Sequence, residues 1–188
     1  MRTGLLMLAI AGLAAPGWCE LDWVENPDNA HLYSCWDQVG TWWSAQAAID
    51  DYNTAAGANA HLVTFCSAEE ENWVKCQFGT ASSRWIGFTD CDQFAHEGCW
   101  VWVNGEPIEY TNWYVGEPNN LGGEDFAMMN WHGCWNDGKG TSALSAIFEL
   151  DAAPGATQDE TPEPCAWVLL AGAAGLGGIA RRRRQRDS

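Results

Sequence analysis

The sequence predicts an α+β fold, and three observations support this prediction. Two segments in the first half carry apolar residues at helical spacing, whereas the second half consists of short strand-like segments and polar loops. Apolar residues make up 47% of the chain, which is enough to build a core. The length of 188 residues indicates one domain with short additions at its ends. We place this domain at residues 24–151.

The first predicted elements are a strand and a helix. Residues 31–39 contain strand-favouring side chains in partial alternation, and Gly40 ends this strand. Thr41 is an N-cap candidate for a helix over residues 42–52. The apolar residues of this helix recur at helical spacing, at Trp42, Ala45 and Ile49.

A second strand and a second helix follow. Residues 61–65 form a short strand, and Ser67-Ala68-Glu69-Glu70 is a capping box that begins the helix. The helix dipole favours the acids at 69–71, so we expect a solvated helix start there. His31 and His61 lie in predicted strands and are expected to be structural.

The second half contains strands and one long loop. Residues 85–88 and 100–103 are strand-like, and Asn104-Gly105 is a hairpin turn signal. Residues 116–125 form a long polar loop. Three closing strands are predicted after it, at residues 126–130, 134–136 and 143–150.

The charge is distributed very unevenly along the chain. The formal net charge is −16, but residues 20–163 contain only Lys75, Arg84 and Lys139 as bases, against 24 acids. So acidic a domain would be repelled by nucleic acid and by anionic membranes, and we expect no nucleic-acid partner. It suits a divalent cation with hard oxygen ligands, such as Ca²⁺.

Both ends of the chain are predicted to be targeting segments. Residues 1–19 have the basic start and apolar stretch of a secretory signal peptide. Residues 152–161 are an extended linker rich in Pro, Thr and acids. Residues 162–186 comprise Pro162-Glu163-Pro164, an apolar run and an arginine cluster. As a helix the run spans about 24 Å, slightly less than a ~30 Å hydrocarbon core.

This three-part tail resembles the PEP-CTERM sorting signal of Gram-negative bacteria that make exopolysaccharide. The resemblance implies processing by an exosortase, with transient anchoring in the membrane through the tail. A plain C-terminal membrane anchor is the alternative. Both interpretations place the domain outside the cytoplasm, as an exported protein at the cell surface or in the extracellular space.

Six cysteines lie in the body of the chain, and an even number in an exported protein favours disulfides. Cys91 and Cys99 are the best candidate pair, because they are eight residues apart in a loop before a strand. Cys66 and Cys76 flank the second helix and lie too far apart to bond if it is intact. A zinc site is the alternative, although no CxxC pair exists.

Five side chains that offer oxygen ligands lie within 21 residues of each other, namely Glu117, Asn119, Glu124, Asn136 and Asp137. Calcium takes about six to eight oxygens, so this set and a backbone carbonyl nearly complete its shell. We hypothesise that the Glu117–Pro118 bond is cis, because a cis bond would turn the neighbouring side chains to one side. Because bases are so few, a metal is the expected counter-ion for these carboxylates.

Short motifs follow one another in order over roughly residues 26–151. They are Ala60-His61-Leu62-Val63, Ser67-Ala68-Glu69-Glu70, Trp85-Ile86-Gly87 with Asp90, Trp100-Val101-Trp102, Tyr110-Thr111-Asn112-Trp113, Gly116-Glu117-Pro118-Asn119-Asn120, Gly123-Glu124-Asp125 and Trp135-Asn136-Asp137. Together they resemble the C-type lectin domain. The resemblance implies two helices, small antiparallel sheets and a long loop region that binds calcium and sugar.

The resemblance also implies a ligand. In that family the Glu-Pro-Asn triplet, present here as Glu117-Pro118-Asn119, goes with mannose, glucose, N-acetylglucosamine and fucose. Vicinal hydroxyls would bind the calcium and exchange hydrogen bonds with its ligands Glu117, Asn119, Glu124 and Asn136. Trp131 and His132 are candidates for a contact wall beside the sugar, with simple exposure the alternative for His132. Most other tryptophans of the motifs are expected in the core.

An auxiliary calcium site is implied by the same resemblance, at Asp90, Glu97, Asn120, Glu124 and Asp125. The two usual disulfides of the family are missing, because the matching positions carry Ile49, Phe148, Phe126 and a residue near Gly140. Ile49 and Phe148 would form a buried apolar contact in place of one bridge.

Three functions are weighed at this point. The first is an exported, calcium-dependent carbohydrate-binding protein that recognises exopolysaccharide or cell-surface glycan. The second is a protein-binding adhesin with structural calcium. The third is a hydrolase with Glu117 and Glu124 as acid and base. These two residues are needed as metal ligands and no nucleophilic set is apparent, so we expect no enzyme.

Overall fold

The computed structural model describes residues 21–91, 93–130 and 132–151. The predicted signal peptide, linker and sorting tail lie outside these ranges, as does Trp131. Within the described ranges, no helix has the length and apolar character needed to cross a bilayer.

The described chain contains two helices and eight strands, which confirms the α+β class. The first half contains β1 Val24–Glu25, β2 Leu32–Gly40, α1 Trp42–Ala56, β3 His61–Leu62 and α2 Ala68–Phe78. The second half contains β4 Arg84–Thr89, β5 Val101–Trp102, β6 Phe126–Met129, β7 Trp135–Gly138 and β8 Leu144–Leu150.

The strands join in one hydrogen-bonded sheet with the order β1-β2-β8-β4-β6-β7. Strand β3 also pairs with β8, and β5 pairs with β4. Among these described pairs, β4 and β8 are parallel and the others antiparallel, so the small antiparallel sheets predicted are connected through one parallel contact. Strand β7 lies at the end of the sheet next to β6 and carries two of the predicted ligands, Asn136 and Asp137.

Both helices begin at the predicted caps. The Thr41 hydroxyl accepts a hydrogen bond from the Ser44 amide at 3.0 Å, and the Ser67 hydroxyl accepts from the Glu70 amide at 3.1 Å. The second half of the capping box differs from the prediction. Glu70 Oε2 accepts from the amide of Cys66 at 2.8 Å, one residue before the cap.

The acids at the start of α2 are not all solvated, which corrects the prediction for two of them. Glu70 is 7% exposed and Glu71 is 0% exposed. Each has turned toward the sheet, where hydroxyl donors from distant parts of the chain meet its carboxylate. The Lys75 ammonium, one helical turn further along α2, also pairs with Glu71. Paired in this way, a carboxylate can be buried without a large desolvation cost.

Successive residues of β8 alternate between two cores, as the pleat of a strand requires. Phe148 lies in a core cluster with Trp42 and Ile49 of α1, whereas Ile147 lies in a second cluster with Val74 of α2. The predicted core tryptophans are confirmed. Trp85, Trp102 and Trp135 are buried, and Trp100 and Trp113 pack against the second cluster.

Apolar packing replaces both missing bridges. Ile49 and Phe148 are both 0% exposed and lie in one core cluster, as predicted. The ring of Phe126 covers Gly140 so closely that a Cβ there would come within 2.5 Å of Cε2. Any larger residue at 140 would displace that ring.

Candidate metal centre

A long segment between β5 and β6 crosses the end of the sheet and is tied to β7 by its backbone. The Trp135 amide donates to the Asn112 carbonyl at 2.7 Å, and the Tyr114 amide donates to the Trp135 carbonyl at 2.8 Å. The Glu117 amide then donates to the Tyr114 carbonyl at 2.9 Å. These three bonds bring the Glu-Pro-Asn triplet beside the start of β7.

The triplet has the arrangement that the sequence suggested. The Glu117–Pro118 peptide bond is cis, which confirms the hypothesis. Asn119 Nδ2 donates to Glu117 Oε2 at 2.5 Å, so the carboxylate and the amide lie on the same side of the loop. The resulting pair combines carboxylate oxygens with an amide that can both donate and accept.

Asn119 and Glu124 meet across the tip of the loop. The Leu121 amide lies 2.9 Å from Asn119 Oδ1 and 3.1 Å from Glu124 Oε2, so the two oxygens share one donor. The Glu124 amide donates to Asn120 Oδ1 at 2.8 Å. Asn120 has a φ of 47°, a left-handed conformation that asparagine tolerates better than most residues. The structure thus brings three predicted ligands together from the loop alone.

Asn136 and Asp137 of β7 complete the predicted set. Asp137 is 0% exposed, and its Oδ2 accepts from the Asn120 amide at 2.6 Å. Its Oδ1 is buried and has no hydrogen-bond partner among the described residues. The Asn136 side-chain amide donates to the Asp137 backbone carbonyl. A buried carboxylate oxygen without a donor is a costly arrangement unless a cation is bound.

The electrostatic environment of the set is negative. Partial burial raises the pKa of Glu117, and the neighbouring carboxylates of Asp137 and Glu124 raise it further. Two of the three bases in the domain are engaged elsewhere, since Lys75 pairs with Glu71 and Arg84 donates to backbone carbonyls.

The third base, Lys139, lies beside the loop, where its Nζ would be 3.0 Å from a Cβ at Gly122.

The five side chains of the set offer only oxygen ligands, and Asp137 has an open position. They therefore fit a hard divalent cation such as Ca²⁺.

The residues of the auxiliary set meet in two pairs, Asp90 with Asp125 and Asn120 with Glu97. Asp90 is 3% exposed, its Oδ2 accepts from the Gly98 amide at 2.8 Å, and its Oδ1 has no partner within the described ranges. The Asp90 amide donates to the Asp125 carbonyl at 3.2 Å, and Asn120 Nδ2 donates to Glu97 Oε1 at 2.7 Å. Burial raises the pKa of Asp90, and the charges of Asp125 and Asp137 add to that effect.

An aromatic pair that the sequence did not reveal flanks the site. His132 is exposed, and its ring stacks on that of Tyr114 with centroids 5.5 Å apart and an angle of 14° between the planes. Tyr114 is 44% exposed. Tyr114 lies between two of the sequence motifs, and the pairing depends on a contact between residues 18 positions apart.

The predicted Cys91–Cys99 disulfide is not formed in the structure, which corrects that prediction. Both residues are free thiols. Cys91 is 7% exposed and belongs to the core cluster around α1, whereas Cys99 is exposed. The amides of Phe94 and Ala95 both donate to the Cys91 carbonyl at 2.9 Å, which fixes a turn there. Spacing allowed the bond, but the two side chains lie in different environments.

A second cluster of ionisable side chains lies near α2, in the part of the chain that the structure describes. His31 Nδ1 is 2.7 Å from Glu149 Oε1, and the Tyr33 hydroxyl is 2.6 Å from Glu70 Oε1 and 3.0 Å from Glu149 Oε1. Thr64 donates to Glu149 Oε2 from its amide at 2.8 Å and from its hydroxyl at 3.1 Å. Burial raises the pKa of Glu70, as does the charge of Glu149. Here the protein itself supplies the donors.

Comparison with known proteins identifies the family. The model of the lectin C-type domain matches residues 40–147, which is more than half of the chain. This protein therefore belongs to the C-type lectin domain family. Two similar proteins are the CD209 antigen of Gorilla gorilla gorilla and C-type lectin domain family 10 member A of Homo sapiens.

The gorilla CD209 antigen is 37% identical over 149 residues, covering 76% of this chain and 31% of that protein. The second is 35% identical over 127 residues, covering 63% of this chain and 36% of that protein. This chain spans about a third of the length of the curated relatives it matches.

Solved structures confirm the C-type lectin fold. The carbohydrate-recognition domain of the mouse scavenger receptor C-type lectin has a TM-score of 0.60 and 31% identity, over 70% of this chain and 95% of that one. The domain of cow CD23, solved in the presence of a GlcNAc2Man3 oligosaccharide, has a TM-score of 0.60 and 28% identity. It too covers 70% of this chain and 95% of that one.

Proposed function

We propose that this protein is a calcium-dependent lectin of mannose-type specificity. The observation that carries the proposal is the same-side arrangement of Glu117 and Asn119, next to the open, buried oxygen of Asp137. Calcium would be held by the full set of five side chains, Glu117, Asn119, Glu124, Asn136 and Asp137. It would supply the charge that the domain lacks and a Lewis-acidic contact for sugar hydroxyls.

The sugar would be bound through a pair of vicinal hydroxyls. The carboxylates of Glu117 and Glu124 would accept hydrogen bonds from them, and the amides of Asn119 and Asn136 would donate. This alternation of acceptors and donors selects the geometry of the hydroxyl pair, and the Glu-Pro-Asn triplet supports the mannose, fucose and N-acetylglucosamine group. The stacked rings of Tyr114 and His132 would form part of a contact wall, together with Trp131.

A second calcium would be held by the auxiliary set, Asp90, Glu97, Asn120 and Asp125. Its proposed role is to stabilise the loop, since Asn120 donates its backbone amide to Asp137 of the first set. The buried, open Oδ1 of Asp90 supports this assignment.

The setting proposed for this lectin is the outside of a Gram-negative bacterium. The signal peptide and the PEP-CTERM tail of the sequence would export the domain, anchor it transiently and present it to an exosortase. The ligand would be exopolysaccharide or the glycan of a neighbouring cell. Because a small, wet site buries little surface, monosaccharide affinity should be weak and multivalency should supply useful avidity.

One observation favours a second candidate, a protein-binding adhesin with structural calcium. Apolar side chains are exposed along the long segment at Ile108, Val115 and Leu121, with Val115 91% exposed. Exposed apolar side chains of this kind can contribute to a protein contact.

The test is a glycan array probed with the folded, full-length chain in calcium and then in EDTA. We expect mannose- or fucose-type signals that EDTA abolishes, and their loss in Asn136→Ala. The control is Asn72→Ala, because Asn72 is an exposed amide on α2 and should bind as the wild type does.

Two results would count against the proposal. Binding retained by Asn136→Ala would place the sugar elsewhere on the molecule. An array without signals from folded protein would favour the adhesin, and free mannose should then fail to displace its partner.

A further inference from the structure

Glu71 of α2 has a fully buried carboxylate that four side chains approach. Its Oε2 accepts from the Tyr110 hydroxyl at 2.6 Å and lies 2.9 Å from Lys75 Nζ. Its Oε1 accepts from the indole Nε1 of Trp135 at 2.7 Å. Asn112 Nδ2 lies 2.9 Å from Oε2 and 3.2 Å from Oε1. Three separate parts of the chain therefore meet at one group.

Two of these partners, Asn112 and Trp135, are bonded to each other at the start of β7, beside its predicted ligands. Asn112 accepts the Trp135 amide on its carbonyl at 2.7 Å and donates from Nδ2 to the Gly133 carbonyl at 2.9 Å. Trp135 is thus held at its amide by Asn112 and at its indole by Glu71. The next two residues are Asn136 and Asp137, so any displacement of Trp135 would move both.

The same contacts reach the triplet on the other side of the site. The Tyr114 amide donates to the Trp135 carbonyl at 2.8 Å, and the Tyr114 carbonyl accepts the Glu117 amide at 2.9 Å. Glu71 is therefore connected to Asn136 and Asp137 through one residue, and to Glu117 through Trp135 and Tyr114.

We propose that Glu71 is a positioning residue, which fixes residues 110–137 in the arrangement that holds the metal and sugar ligands. The part of this inference that concerns calcium rests on the proposed function. The part that concerns the order of the segment does not.

The chemistry of the contact requires a carboxylate. An ionised carboxylate is an acceptor only, with about four lone-pair sites, so it can serve several donors at once. Lys75 supplies the counter-charge, and charge-assisted hydrogen bonds of this kind are the stronger ones. In Glu71→Gln one acceptor oxygen becomes an NH₂ group, which would face the donors of Tyr110, Trp135 or Asn112. At least one of these donors would then lack an acceptor.

The test uses the full-length chain with three variants. Glu71→Gln removes the acceptor, and Tyr110→Phe removes a single donor, which keeps the test available if the first variant does not fold. Tyr33→Phe is the matched control, because its hydroxyl donates to Glu70 at the same distance of 2.6 Å but outside this network. Two properties are measured, amide hydrogen exchange in EDTA and calcium affinity by titration.

We expect Glu71→Gln to speed exchange selectively in residues 110–137 and to weaken calcium binding by about 10- to 100-fold, the range seen when partners of metal ligands are removed. Tyr110→Phe should shift both properties in the same direction by less. Tyr33→Phe should change neither in this segment.

The results separate this inference from the proposed function. If the first two variants match Tyr33→Phe in both measurements, Glu71 does not position the site. If the wild type binds no calcium but exchange still rises only in residues 110–137, the lectin proposal fails and the positioning role stands.

Discussion

Glu149 and Asp137 are carboxylates buried to the same degree, at 1% and 0% exposure, yet their surroundings differ. The two carboxylate oxygens of Glu149 form hydrogen bonds with His31, Tyr33 and Thr64. Asp137 receives one backbone amide on Oδ2, and its Oδ1 has no donor in the described part of the chain.

The difference separates a carboxylate that serves stability from one that, under the proposed function, serves ligand binding. Around Glu149 the counter-charge and the donors come from within the fold, so the group is satisfied as soon as the chain folds. Around Asp137 the backbone positions the oxygens and leaves the charge uncompensated. Under the proposed function a cation would supply the compensation, and the order of that region would then depend on a ligand.

The largest effect we expect is the loss of stability in Glu149→Gln. The variant places an NH₂ group among the donors of Thr64 or His31 and leaves part of the network without its acceptor. Removal of one partner from a buried, paired charge costs about 3–5 kcal/mol. Urea unfolding should show this loss in the presence or absence of calcium.

The control for this prediction is Glu25→Gln, since Glu25 is exposed on β1 and should cost less than about 0.5 kcal/mol. A Glu149→Gln variant as stable as the wild type would mean that loss of these buried hydrogen bonds costs no more free energy than a substitution at the surface. The contrast with Asp137 would then be lost.

The second prediction concerns calcium and Asp137. Calcium at about 100 times its dissociation constant should raise the free energy of unfolding of the wild type by roughly 3 kcal/mol. Asp137→Asn should lose this gain. Without calcium the variant should be at least as stable as the wild type, because a neutral amide replaces a charge that lacks a donor.

Thermal unfolding with calcium and with EDTA measures both halves of the second prediction. Magnesium is the ionic control, because its smaller, strictly octahedral shell suits this set of ligands less well. If Asp137→Asn is destabilised in EDTA to the same extent as Glu149→Gln, Asp137 is a structural residue like Glu149.

Local chemistry allowed much of the fold to be predicted. Thr41 and Ser67 cap helices through contacts three residues away, and such contacts depend on neighbouring residues alone. The Glu-Pro-Asn triplet is similar, because its side chains converge within one loop. Both the helices and the loop part of the site therefore follow from the printed sequence.

The burial of Glu70 and Glu71 could not be predicted in the same way. Acids in the first turn of a helix are usually solvated, and the residues that bury these two are remote in sequence. Tyr33 is 37 positions from Glu70, and Trp135 is 64 positions from Glu71. The Cys91–Cys99 prediction failed for a related reason, since sequence separation limits a distance but does not fix the direction of either side chain.

The smallest predicted effect is a pH dependence of stability at the edge of the Glu149 network. His61 Nε2 lies 3.0 Å from Asp151 Oδ1, and its Nδ1 lies 2.9 Å from the Leu62 carbonyl. Burial alone would lower the pKa of His61, but the hydrogen bond to Asp151 and the charge of Glu149 outweigh it and raise the pKa to about 9. His61 therefore keeps a proton that the unfolded chain releases near pH 6.5.

The contribution of His61 is fully present below about pH 6.5 and is lost as the pH rises through about 9. Because Asp151 is 39% exposed, solvent screens the pair, and we expect a loss of on the order of 1–2 kcal/mol across this range. Urea unfolding at intervals between pH 6 and 9.5 measures it, and the difference between the wild type and His61→Gln removes the contribution of thiols that titrate in the same range. Parallel pH profiles for the two proteins would show that Asp151 and Glu149 do not hold a proton on His61. The contribution of His61 to the Glu149 network would then come from neutral hydrogen bonds alone.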